Sequence, residues 1–75
     1  MVQNQAVDNK IAYTVACVSS FAFVHNISKK EAFSYLYKNK AIEFLKEHYD
    51  IEHTLSLEEA VEDMAEISRQ NGGTL

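Results

Sequence analysis

Residues that break regular structure are almost missing from this sequence. It has no proline, and its only glycines are Gly72 and Gly73, near the C-terminal end. A β fold needs turn formers every 8–12 residues or so, and this scarcity therefore favours a helical protein with short connections. The longest apolar run, residues 11–24, is also too short for a transmembrane helix, which needs roughly 20 apolar residues.

Cysteine is equally scarce. Cys17 is the only one, so an internal disulfide is excluded and a reducing cytoplasm is the expected compartment. No basic cluster precedes the apolar run, so a secretory signal is not expected. Because a reactive thiolate needs a nearby base, we expect Cys17 to be a small core residue rather than a nucleophile.

Positive charge is in deficit, with seven basic and eleven acidic side chains and a formal net charge of −4. This balance argues against general affinity for nucleic acid or anionic membranes. A helix-turn-helix protein would need basic and amide side chains at the start of its recognition helix, and only Lys29 and Lys30 would serve. We therefore expect no nucleic acid and no membrane partner. A local basic patch stays open, because five lysines lie close together in sequence: Lys29, Lys30, Lys38, Lys40 and Lys46.

What the sequence does have is one strongly apolar segment. Eleven of the fourteen residues from 11 to 24 are apolar, and the exceptions, Thr14, Ser19 and Ser20, would point in three different directions on a helix. A helix that is apolar all round is normally buried on most sides, so this helix is expected at the centre of the fold. Three short amphipathic helices have little surface to cover it, which leaves room for contact with another chain, and homodimerisation is a common solution in small proteins.

Two capping boxes mark helix starts, at Ser28 with Glu31 and at Ser56 with Glu59. Asp8 or Asn9 is expected to cap the first helix, with residues 1–7 frayed, and residues 49–54 are expected to form an extended connector. Four helices are predicted, over residues 9–24, 29–38, 40–48 and 57–70. The prediction is thus one all-α domain over residues 1–75, a compact array of about four short helices around the apolar first helix.

Helical spacing also assigns faces to the predicted helices. In the second helix the expected inner residues are Ala32, Phe33, Leu36 and Tyr37. In the third they are Ala41, Ile42, Leu45 and Tyr49, with Phe44 beside them. In the last they are Leu57, Ala60, Val61, Met64, Ile67 and Ser68. Tyr35 falls off the inner stripe, and the last helix turns an acidic face outward: Glu58, Glu59, Glu62, Asp63 and Glu66.

Three segments carry a family resemblance. Residues 27–37 read ISKKEAFSYLY, residues 41–56 read AIEFLKEHYDIEHTLS, and residues 71–73 read NGG. With the hydrophobic first helix and its central Cys17, this pattern resembles a family of short bacterial proteins classed as a domain of unknown function. The resemblance covers nearly the whole chain, and residues 49–56 are its most specific part. It implies no activity, cofactor or catalytic residue. It does imply a context, since such proteins are often encoded beside larger proteins resembling toxin-type ADP-ribosyltransferases.

Side chains able to do chemistry are few. His48, Asp50, Glu52 and His53 crowd one short segment and could suggest a divalent metal, but their spacing matches no established ligand motif, and a structural role is the stronger reading. The acidic last helix supplies no enclosed carboxylate pair of the kind that acid–base catalysis needs. We therefore expect no enzyme activity, no cofactor and no metal.

The function expected from the sequence is a protein-interaction module, in particular an antitoxin-like or regulatory partner of a larger enzyme. The partner would be a protein, such as one resembling ADP-ribosyltransferases, held by the acidic helix face at Glu58, Glu62 and Glu66 and by Tyr35 as an interface tyrosine. A non-catalytic homodimeric domain is the alternative, and a small DNA-binding or metal-binding protein ranks below both.

Overall fold

The computed structural model describes residues 5–75. Within this part the chain is all-α, as predicted, and contains no strand. The described residues form five helices: α1 (Gln5–His25), α2 (Lys29–Lys38), α3 (Ala41–Glu47), α4 (Tyr49–Glu52) and α5 (Leu57–Gln70).

Both predicted capping boxes are formed, and they set the starts of α2 and α5. Ser28 accepts a 3.0 Å hydrogen bond from the backbone N–H of Glu31, whose carboxylate accepts one from the backbone N–H of Ser28. These bonds to the ionised form lower the pKa of Glu31. Ser56 and Glu59 repeat the arrangement. The predicted bounds of α2 and α5 are confirmed, because these ends are encoded by side chains within one helical turn.

The first helix begins earlier than predicted. It starts at Gln5, so Asp8 and Asn9 lie inside the helix rather than at its N-cap. The expectation that residues 1–7 are frayed stays a prediction. Residues 1–4 of that expectation lie outside the described part. Nothing in residues 5–10 disfavours a helix strongly, so α1 extends through them. It ends at His25, one residue later than predicted, and Asn26 after it adopts a left-handed φ of 55°.

The extended connector predicted over residues 49–54 is wrong, because this segment contains the short helix α4. The backbone N–H of Glu52 donates to the carbonyl of His48 at 2.8 Å. The rings of Tyr49 and His53 stack at 4.4 Å, and a ring nitrogen of His53 lies 2.7 Å from the Tyr49 carbonyl oxygen. These contacts between residues four apart favour a helical turn even without a regular apolar pattern.

The hydrophobic core lies where α1, α2, α3 and α5 meet. Phe21 of α1 is fully buried and stacks against Tyr35 of α2 at 5.7 Å. Around it lie buried side chains from all four helices: Cys17, Val18, Ala22, Ala32, Leu36, Ala41, Ile42, Leu45, Ala60, Val61, Met64 and Ala65.

Several residues expected in the core are outside it. The expectation that α1 is buried on most sides is wrong, since large apolar residues along its length are more than half exposed. Phe33 and Tyr37 of α2, and Leu57 at the start of α5, are exposed as well. α1 and α2 are bent by 107° to one another, and α2 meets the core along a strip where Ala32 and Leu36 are buried and Tyr35 packs half-buried beside them.

Candidate protein-interaction groove

Four of the exposed apolar residues of α1 and α2 line one groove. Ile11 and Val15 are each 58% exposed, and Phe33 and Tyr37 are 46% and 68% exposed. Together with Ile42 of α3 they line a depression of about 520 Å³ between the three helices. Because Ile42 is buried, it forms part of the floor, whereas the other four lie on the walls.

The aromatic wall of the groove follows from the placement of α2. Phe33 and Tyr37 are four residues apart, and their rings stack at 5.9 Å with an angle of 15° between the planes. Ala32 and Leu36, one position earlier in each turn, point into the core. The two aromatic rings are therefore fixed on the flank of α2 beside α1, partly packed and partly open to solvent.

Lysines surround the groove. Lys10 and Lys46 border the main depression. A second depression of about 280 Å³ continues it along α1 and is bordered by Lys29 and Lys30. The two share Thr14, Val15 and Phe33, and no described acidic side chain lines either of them. We call the combined feature the groove; along α1 it extends from Lys10 to Ser19, roughly 14 Å at the helical rise.

A separate apolar patch lies at the other end of α1. Phe23 is 87% exposed and Val24 is 64% exposed, and Leu57 of α5 lies beside them. Ser19, Glu58 and other side chains complete a depression of about 590 Å³ there. This patch is bordered by the carboxylate of Glu58, whereas no described acidic side chain lines the groove.

The residues predicted to bind a partner lie elsewhere. Glu58, Glu62 and Glu66 are exposed on the outer face of α5, as expected, and Glu66 pairs with Arg69 at 3.2 Å. Tyr35 is half-buried: its ring packs on Phe21, and its hydroxyl accepts a 3.0 Å hydrogen bond from the backbone N–H of Leu75. Tyr35 therefore packs within the fold through both its ring and its hydroxyl.

The histidines considered for a metal site are both exposed and lie against aromatic rings. His48 is 4.9 Å from Phe44, ring to ring, and His53 stacks on Tyr49. Within residues 5–75 no three His, Cys, Asp or Glu side chains are grouped so as to hold a metal ion.

Sequence reasoning missed a buried carboxyl group. Glu52 of α4 is only 4% exposed, and one of its carboxyl oxygens, Oε1, has no hydrogen-bond partner among the described residues. Burial, with the carboxyl of Asp63 and the more distant Glu59, raises the pKa of Glu52 to about 7. The sequence predicted an extended connector for this segment, whereas in the structure Glu52 lies beside Asp63 of α5 and Tyr13 of α1.

Two further groups next to Glu52 are also affected by burial. The Tyr13 hydroxyl donates to the backbone carbonyl of Glu52 at 2.8 Å, and burial raises the pKa of Tyr13. Burial likewise raises the pKa of the Cys17 thiol, which is fully enclosed. A thiol with a raised pKa is a poor nucleophile, and this agrees with the expected core role of Cys17.

Among the described helices none is by itself long and apolar enough to cross a membrane. Residues 9–25 of α1 and the whole of α2, taken together across their 107° bend, do meet the length and composition required.

The fold and its groove define a small all-α protein whose most distinctive surface is an exposed apolar depression with a basic border. Residues 12–71 match the family described as a protein of unknown function, DUF3791, and the chain belongs to this family. The family resemblance seen in the sequence segments is thereby confirmed. No curated protein matches the chain, and no solved structure matches it either.

Proposed function

We propose that this protein is an interaction module that binds a segment of a larger protein in the groove between α1, α2 and α3. The observation that carries the proposal is the exposure of Ile11, Val15, Phe33 and Tyr37 along one continuous depression. Contiguous apolar patches of this kind mark interaction sites on small soluble proteins. Aromatic side chains are the most frequent anchors of such sites, and Phe33 and Tyr37 are already held in place by stacking.

The biological role that fits this proposal is regulation of a larger enzyme by occupation of one of its surfaces, as an antitoxin does. A protein resembling ADP-ribosyltransferases is the first partner to test, because the family resemblance suggests it. The acidic face at Glu58, Glu62 and Glu66 is the competing surface, since it would meet a basic region of a partner.

The experiment is site-specific photo-crosslinking in the organism that makes the protein. A photoreactive phenylalanine analogue at position 37 probes the groove, and the same analogue at position 62 probes the acidic face. A protein crosslinked from position 37 is then purified, and its binding to the chain is measured by calorimetry. We expect Val15→Asp to weaken this binding at least tenfold, and the triple change of Glu58, Glu62 and Glu66 to lysine to leave it within about twofold. If Val15→Asp does not change the affinity, or if only the triple variant loses binding, the groove is rejected as the binding site.

A second candidate function, self-association, is favoured by the separate patch at Phe23 and Val24. Phe23 is almost fully exposed, and covering it with a second copy would remove a large aromatic side chain from water. Sedimentation equilibrium would detect such a dimer. A dimer dissociated by Phe23→Ser but not by Val15→Asp would assign the patch to self-association and leave the groove for the partner.

A further inference from the structure

We infer that the groove selects an amphipathic helix with acidic side chains on both sides of its apolar stripe. This inference rests on the proposed function and names the chemical class of the partner segment. The first argument is the sign of the charge at the groove. Four of the six lysines of the chain border it, although the chain as a whole carries a net charge of −4.

These lysines are available to a partner. The one ion pair found among the described residues joins Arg69 to Glu66, away from the groove. Lys29, Lys30 and Lys46 are exposed, and Lys10 lies 5.6 Å from the centre of the Tyr49 ring. Acidic side chains on a bound segment would therefore meet, at both ends of the groove, ammonium groups that form no ion pair with a described residue, which favours acidic side chains over basic ones.

The shape of the groove fits a helix. It runs roughly 14 Å along α1, which corresponds to about nine residues of a bound helix and thus to apolar anchors at positions i, i+3 or i+4, and i+7. The walls supply two aromatic rings, Phe33 and Tyr37, and two aliphatic side chains, Ile11 and Val15. A flat lipid surface fits less well, because the floor at Ile42 is recessed and only 4% exposed.

The helix α5 of a second copy of this chain is acidic too, but it does not match the groove. That helix is acidic outside, but its apolar side chains Ala60, Val61 and Met64 are buried in its own core. It would offer carboxylates to the lysines but, apart from Leu57 at its first position and the partly exposed Ile67, no apolar side chain to the floor. A separate partner helix that carries both features is the occupant that matches the groove.

The test is a selection from a displayed library of 16-residue helices. Three apolar anchor positions, at i, i+4 and i+7, are fixed, and the flanking positions vary among Glu, Lys, Gln and Ser. Selection is made on the wild-type protein and on a variant with Lys10, Lys29, Lys30 and Lys46 all changed to Glu. A matched control carries Lys38→Glu and Lys40→Glu, which reverse two lysines that do not line the groove. Anisotropy titrations of synthetic peptides in 50 mM and 500 mM salt then measure the affinities.

We expect the wild type and the matched control to enrich glutamate at the flanks and the fourfold variant to enrich lysine. The best glutamate peptide should bind the wild type at least tenfold more tightly than its lysine counterpart at low salt, with a smaller ratio at high salt. If peptides bind the wild type, bind the Val15→Asp variant more weakly and show no preference for acidic flanks, the inference is rejected and the proposed function is retained. If no selected peptide is affected by Val15→Asp, both are rejected. A third outcome is that the wild type binds phosphatidylglycerol vesicles, the fourfold variant does not, and no peptide binds in the groove. The occupant of the groove would then be a membrane surface and not a helix.

Discussion

The hydroxyl of Tyr13 donates a 2.8 Å hydrogen bond to the backbone carbonyl of Glu52, 39 residues further along the chain. This bond joins α1 to the short helix α4. The ring of Tyr13 also meets Tyr49 of α4 edge to face at 5.6 Å. α4 has only four residues and little helical stability of its own, so contacts of this kind are what hold it against the rest of the protein.

Removing that hydroxyl is therefore expected to destabilise the protein. Tyr13→Phe deletes the bond to Glu52 and should lower the free energy of unfolding by about 1 kcal/mol. Tyr37→Phe is the matched control, because Tyr37 is 68% exposed, and it should change stability by less than about 0.5 kcal/mol. Urea denaturation of both variants measures the difference. Equal midpoints would show that the Tyr13 hydroxyl contributes nothing to the attachment of α4.

The buried carboxyl of Glu52 should make stability depend on pH. Its pKa is about 7 in the folded protein, against an ordinary 4.5 for an exposed glutamate. Between these values the folded state keeps a proton that the unfolded state has released. The contribution to stability is thus complete below pH about 4.5 and is lost as the pH rises through about 7, a total of about 1–3 kcal/mol.

Thermal or urea unfolding from pH 4.5 to pH 8.5 checks this dependence. Glu52→Gln cannot ionise and should flatten the profile, and it should be more stable than the wild type at pH 8. Asp50→Asn, an exposed position on the same helix, is the control and should keep the slope of the wild type. The carboxyls of Asp63 and Glu59 and the hydroxyl of Tyr13 also face this region. A slope that survives Glu52→Gln would therefore assign the dependence to other groups.

Leu36 and Phe33 of α2 should differ sharply in their contribution to stability. Leu36 is fully buried, so Leu36→Ala should cost about 2–5 kcal/mol. That is a large fraction of the roughly 4–11 kcal/mol expected for 75 residues. Phe33 lies on the groove wall and is 46% exposed, so Phe33→Ala should cost about 1 kcal/mol or less. The denaturation midpoints of the two variants measure these losses of stability. Equal losses would show that Phe33 contributes to the core as much as Leu36 does.

Gly73 should tolerate no side chain. A Cβ there would collide with the Tyr35 hydroxyl and lie 2.8 Å from the backbone oxygen of Ser68, which accepts a 2.7 Å hydrogen bond from the N–H of Gly73. Gly73→Ala should therefore lower the free energy of unfolding by about 1–3 kcal/mol. Thr74→Ala is the neighbouring control, expected within about 0.5 kcal/mol of the wild type. Matching stabilities of the two variants would show that the C-terminal segment does not pack on Tyr35.

The features predicted well from the sequence are those encoded within one helical turn. The starts of α2 and α5 follow from Ser28 and Ser56, each with a glutamate three residues later. The ends of α1 and α5 follow from Asn26 and from the glycine pair at 72–73, where Gly72 has a φ of 99°. Each signal works through local hydrogen bonds or backbone sterics, so it does not depend on the rest of the fold.

The candidate site was not predictable in the same way. α1 is apolar around its whole circumference, so no periodic pattern distinguishes its buried face at Cys17 and Phe21 from its exposed face at Ile11 and Val15. In α2 the pattern did predict a face, but it counted Phe33 and Tyr37 as inner residues and left out Tyr35, whose ring packs on Phe21. Phe33 and Tyr37 instead lie on the flank of α2 that forms a wall of the groove.

The sequence by itself determined an all-α chain, its capped helix boundaries and the acidic outer face of α5, because local hydrogen bonding and helical periodicity specify these features. Only the tertiary structure decided that Glu52 is buried beside Asp63 and that the lysines at 10, 29, 30 and 46 border one apolar depression. Both depend on how helices distant in sequence cross one another. The crossing is set by the packing of the whole core around Phe21, and no single segment of the chain encodes it.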